Sequence, residues 1–80
     1  MEEISIGDEF IAIGIDQKFV ITGFKTEVEN EGEENEKKTD FLKVRVFRNG
    51  GSHKDKMEIK SAIKGFSDKS CYIHKKMLII

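Results

Sequence analysis

Eighty residues, with 14 Lys/Arg, 15 Asp/Glu and 38% hydrophobic side chains, make one small domain of net charge −1. A chain of this length buries a modest fraction of its surface, which leaves room for a binding face but hardly for a deep substrate cleft. The near-neutral total conceals a polarity: residues 1–40 hold 4 Lys and 12 Asp/Glu, residues 41–80 hold 10 Lys/Arg and 3 Asp/Glu. Halves of −8 and +7 suggest an interaction surface or an acidic tail, against the simpler outcome that they neutralise each other in the fold.

A single cysteine, Cys71, cannot close an internal disulfide and points to a reducing compartment. The opening MEEISIGDEF is acidic and has no long apolar run, so no leader is expected. Nor does any stretch approach the roughly 18–20 apolar residues that span a bilayer. The expected location is the cytoplasm.

In chain order, EFIAIGI and KFVITGF flank Asp16-Gln17 and are rich in Phe, Ile and Val, which suit a pleated, half-buried surface. They predict a hairpin with strands near 9–15 and 18–25, with Gly14 opposite Phe19. Residues 25–40, KTEVENEGEENEKKTD, have no large apolar side chain except Val28 and carry six glutamates between 27 and 36. So little to bury predicts a flexible acidic loop at about 26–40, or splayed strand ends around a mobile tip.

FLKVRVFR then alternates cleanly. Leu42, Val44 and Val46 point one way, while Phe41, Lys43, Arg45 and Phe47 point the other. The chain reverses at Asn49-Gly50-Gly51, residues tolerant of positive φ. A four-residue loop, Asn49 to Ser52, sets Val44 opposite Met57, Leu42 opposite Ile59, Arg45 opposite Lys56 and Lys43 opposite Glu58. If the strand runs on past Ile59, a loop at Ser67 to Lys69 aligns Ile63 with Ile73 and Ile59 with Met77. Lys60, Lys64, Tyr72, His74 and Lys76 then join the outer basic face. The inner set becomes Ile11, Ile13, Val20, Leu42, Val44, Val46, Met57, Ile59, Ile63, Ile73 and Met77.

Ile59, Ala62, Ile63 and Phe66 also fit the i, i+3, i+4, i+7 stripe of a helix. Ser52 or Asp55 could cap its start and Gly65 could sit near its end. The expected fold is therefore mainly β, a small five-stranded SH3-like or OB-like barrel, with an α+β domain carrying one helix near 56–65 as the alternative. SIGDEFIAIG, residues 5–14, resembles the Gly-Asp opening of the first strand in several SH3-like modules. Such folds host many functions.

No catalytic constellation is expected. Ser52, His53 and Asp55 are neighbours in a glycine-rich tip, whereas triad members converge from separate rigid elements. Cys71 and His74 form the one C-x-x-H pair and His53 is the other imidazole, short of the four ligands of a structural zinc site. Cys71 is expected as a small buried apolar residue. No cofactor is implied, since glycine-rich phosphate and dinucleotide motifs are missing.

Binding remains. Lys43, Arg45, Lys54, Lys56, Lys60, Lys64 and Lys76 are expected on one face with Phe41, Phe47, Tyr72 and His74 among them. Cations of this kind neutralise phosphates and the rings offer platforms for unpaired bases, so the expected partner is nucleic acid or an acidic protein surface. A solubilising surface, with both Phe rings turned into a barrel, is the plainer alternative. The opposite class is a regulator of the kind found in phages and mobile elements, docking Glu27, Glu29, Glu31, Glu33, Glu34 and Glu36 on a basic, nucleic-acid-binding protein. A third arrangement folds the acidic segment over the chain's own basic face.

Overall fold

The computed structural model describes residues 4–77. Its elements are β1 (Glu9–Ala12), β2 (Gln17–Glu29), β3 (Lys37–Arg48), β4 (Gly51–Glu58), α1 (Ile59–Phe66) and β5 (Tyr72–Lys75). The strands make one antiparallel sheet in the order β4-β3-β2-β1-β5. The mainly-β expectation holds, but the sheet is open, with β4 and β5 as separate edges instead of a closed barrel.

The long last strand is replaced by a helix. Ala62 and Phe66, from the helical stripe, are buried and Ile59 packs beside them. Both periods fit this segment, and the helix prevails because it delivers the Phe66 ring onto the sheet. Neither Ser52 nor Asp55 caps α1; both lie in β4, and Glu58 is the N-cap residue without a side-chain bond. The expected pairings of Ile63 with Ile73 and of Ile59 with Met77 do not form. β5 pairs with β1, placing Phe10 opposite His74 and Ile11 opposite Ile73.

The core joins one face of the sheet to α1 through Phe10, Phe19, Ile21, Leu42, Val44, Val46, Ala62 and Phe66. Phe10 is its centre. Phe66 stacks on it at 4.2 Å, and His74 stacks at 4.3 Å. Tyr72 meets Phe66 edge-on, with centroids 5.2 Å apart. The first hairpin is therefore turned over relative to expectation: Phe10, Phe19 and Ile21 face inward, whereas Ile13, Ile73 and Met77 are exposed and Ile11 and Val20 only partly covered. Gly14 takes a positive φ of 87° and ends the strand early, so Phe19 lies opposite Phe10 and not Gly14.

β2 and β3 form a long hairpin. Their ladder continues through Thr26–Asp40 to Glu29–Lys37, so residues expected in a loop are paired strand and only residues 30–36 form the tip. The backbone ladder satisfies these amides although few side chains there are buried. A bulge between Ile21 and Gly23 breaks the register and allows a local change of twist. The hairpin stretches the molecule to 45 × 27 × 27 Å and its radius of gyration to 14.4 Å. A compact chain of this length has a radius of roughly 12 Å.

β3 and β4 turn through two residues rather than four. Asn49 and Gly50 have φ of 49° and 82°, the signs of a type I′ turn, whose twist matches that of the flanking strands. The shorter loop moves the register by two, setting Leu42 opposite Met57, Arg45 opposite Lys54 and Lys43 opposite Lys56. Faces are unchanged by a two-residue shift, but every cross-strand partner is new. Space is open around Gly50, so Gly50→Val meets only the conformational penalty of the left-handed region. It should lower stability by about 1–2 kcal/mol, measured by urea unfolding. A neutral result would contradict the turn.

Candidate functional site

Because one short helix covers one face, the opposite face of the sheet carries no further element among the described residues. Alternation decides what stands there. Burying Phe10, Phe19, Val44 and Val46 leaves Ile11, Lys18, Val20, Lys43, Arg45 and Phe47 pointing outward. Reading across the strands, one outer row is Ile73, Ile11, Lys18, Phe47 and Ser52. The next is Lys75, Glu9, Val20, Arg45 and Lys54. Beyond it come Lys43 with Lys56, and then Lys25, Phe41 and Glu58.

Two features set the electrostatics. Arg45 lies directly opposite Lys54, and Lys43 directly opposite Lys56. Among the described residues Arg45 finds a neutral partner, donating to Ser52 Oγ at 3.1 Å. Flanking this group are two ion pairs over rings. Lys18 Nζ is 3.0 Å from Glu9 Oε1 and 5.1 Å from the Phe47 centroid. Lys56 bonds the Glu27 carboxylate and stands 4.7 Å from the Phe41 centroid. The Lys56 ammonium, with Lys25 beside it, holds the Glu27 carboxyl below its ordinary range.

Of the residues expected on a basic face, Lys43, Arg45, Phe47, Lys54 and Lys56 come together, with Phe41. The others do not. Lys60 and Lys64 lie on α1, behind the sheet. Tyr72 and His74 face the core, because β5 pairs with β1, where alternation turns Ile73 outward. Lys76 follows β5 and acts electrostatically on Asp8. Lys18, Lys25 and Lys75 belong to the face and were missed. Burying Phe10 and Phe19 turns Glu9 and Lys18 outward together, an orientation decided by the stacking of Phe66 on Phe10.

The acidic residues separate as well. Glu27 lies on β2 and is tied to the open face, and Glu29 ends the strand opposite Lys37. Glu31, Glu33, Glu34 and Glu36 are exposed on the tip. Of the acidic segment it is Glu27, paired within β2, that meets the basic face, through Lys56.

Other chemistry is sparse. A cavity of about 570 Å³ between α1 and β5 is mainly apolar, with Lys69, Tyr72 and His74 as its ionisable lining. Cys71 is exposed, against expectation, with Sγ 3.4 Å from Asp68 Oδ2. Hydrogen bonds from Ser70 and the thiol hold the Asp68 carboxyl below its ordinary range. His53 is exposed in β4. Among the described residues no group of three or more His, Cys, Asp or Glu is placed to hold a metal ion, and no helix is long and apolar enough to cross a membrane.

No protein-family model, curated protein or solved structure matches this chain.

Proposed function

We propose that the open sheet face is a non-catalytic binding surface for the phosphate backbone of nucleic acid. The observation behind this reading is the pair of like-charge cross-strand contacts, Lys43 opposite Lys56 and Arg45 opposite Lys54. Like charges directly opposite one another destabilise a sheet. A face serving solubility alone gains nothing from concentrating them, whereas a polyanion turns the repulsion into attraction and releases its own counterions.

Exchanging one cation of each pair tests this. In the variant Lys43→Glu with Lys54→Glu, both contacts become opposite-charge pairs, each favourable by about 0.2–1 kcal/mol. Thermal unfolding should therefore rise or hold, while affinity for a labelled oligonucleotide at low salt should fall at least about tenfold. Wild-type affinity should fall with salt at a slope of roughly 0.7 per single-strand phosphate contacted. Unchanged affinity in the folded variant would refute the proposal.

A second reading draws on the tip, where four exposed glutamates stand at the end of a projecting hairpin. It would dock on a basic, nucleic-acid-binding protein. Changing Glu31 and Glu33 to lysine should abolish that contact and spare binding to the oligonucleotide.

A further inference from the structure

We infer that Phe41 and Phe47 are two base-stacking subsites that make the open face selective for single-stranded over double-stranded nucleic acid. This rests on the phosphate-binding reading of the same face and specifies which form of nucleic acid it takes.

The arrangement around the two rings is repeated. Each half-buried Phe has a lysine ammonium over its face, at 4.7 Å for Lys56 on Phe41 and 5.1 Å for Lys18 on Phe47. Each lysine is held by a glutamate, Glu27 in the first case and Glu9 in the second. The rings lie six residues apart on β3, roughly 20 Å along the strand. Lys43 and Arg45 lie between them on the same face. A chain following β3 thus meets a ring, a cluster of cations, and a second ring.

Neither ring contributes to the buried core, which is filled by Phe10, Phe19 and Phe66. Their faces are instead occupied by a group that a nucleic acid can replace. A phosphate attracts the lysine away from its glutamate, the ammonium leaves the ring, and an unpaired base takes its position. The lysine exchanges one anion for another, the glutamate returns to water, and the ring exchanges a cation–π contact for base stacking. A duplex keeps its bases stacked internally and offers the same face only its phosphates. Selectivity follows from the rings, and general affinity from the cations.

The experiment is fluorescence anisotropy at low salt. The probes are an oligothymidylate of about 12 nucleotides, a DNA duplex of the same length, and poly-L-glutamate. The proteins are wild type, Phe41→Ala with Phe47→Ala, Phe41→Leu with Phe47→Leu, and Glu27→Gln. The leucine pair preserves apolar cover for the lysine stems while removing the ring faces, which keeps the test informative if the alanine pair folds poorly. Wild type should prefer the single strand. Both ring-free variants should lose about tenfold or more of single-strand affinity while holding their duplex affinity. Glu27→Gln, which frees Lys56, should tighten single-strand binding a few-fold. Equal single-strand affinity in wild type and the leucine pair would overturn the stacking subsites and leave phosphate binding standing. Wild type binding neither nucleic acid would overturn both, and poly-L-glutamate binding as tightly as the single strand would assign the face to an acidic protein.

Discussion

Replacing Phe10 by alanine should remove a large share of the stability of this domain, several times the loss from the same replacement at Phe41. Phe10 is 2% exposed and lies between the rings of Phe66 and His74. A buried Phe→Ala change costs about 3–5 kcal/mol, from lost transfer energy and from the cavity left behind. A chain of this size has roughly 4–12 kcal/mol in total. No neighbour is placed to refill the site, since Phe66 and His74 would each face a void across a ring's thickness. Phe41, on the outer face, is only half-buried, and its contact with Lys56 is an exposed cation–π contact of about 0.5–1 kcal/mol, so its loss should be a fraction of that at Phe10. Urea unfolding of both variants gives the comparison. Equal losses would mean that Phe10 and Phe41 are equally buried, and a larger loss at Phe41 that the faces of the sheet have been assigned the wrong way round.

That assignment shows what the sequence alone could and could not supply. In FLKVRVFR one set of alternate positions is aliphatic and the other carries Lys43 and Arg45, so only one orientation buries the strand sensibly. The inward side of β3 and the outward cluster of Lys43, Arg45, Phe47, Lys54 and Lys56 were therefore legible. In the first hairpin both alternations are apolar, with Phe10 beside Ile11 and Phe19 beside Val20. Period two cannot choose between them. The choice is made by Phe66, which arrives from α1 to stack on Phe10, and the helix was itself ambiguous because Ile59, Ala62, Ile63 and Phe66 satisfy both periods. One unresolved segment thus propagated into three errors: the inverted hairpin, the misplacement of Tyr72 and His74, and the omission of Lys18 and Lys75.

The β3–β4 register failed differently. Extending the loop to Ser52 missed that Asn49-Gly50 alone makes a complete turn. The faces survived, and the expected register already held one like-charge pair, Arg45 with Lys56, but the two pairs Lys43–Lys56 and Arg45–Lys54 emerge only with the tighter turn. The acidic hairpin was hidden for another reason. Its strands are held by backbone pairing with little side-chain burial, and composition carries no sign of that.

Asp8→Asn should destabilise the protein at neutral pH and remove part of its sensitivity to acid. Asp8 is 1% exposed, and its carboxylate joins the chain before β1 to the chain at and after β5. Oδ2 accepts from the Ser5 backbone N–H at 3.0 Å and pairs with His74 Nε2 at 3.0 Å; Oδ1 accepts from the Met77 N–H at 3.2 Å. An ionised carboxylate only accepts, so the His74 tautomer facing it carries hydrogen on Nε2. Burial by itself raises the Asp8 pKa, but the hydrogen bonds from Ser5, His74 and Met77, with the positive charge of Lys76, outweigh it and hold the group below 3.8. A folded pKa below the unfolded one means that the unfolded chain takes up its proton first as pH falls. The stabilisation is therefore complete above the unfolded value near 3.8 and is lost as pH drops through the folded value. An asparagine amide offers one acceptor and turns its NH₂ toward groups that are themselves donors, at a cost of about 2–4 kcal/mol. Melting curves across the acid range should show the two proteins well separated at pH 7 and converging once Asp8 is protonated. A gap that stays constant through that range would mean that the Asp8 charge contributes nothing to holding β5 against β1.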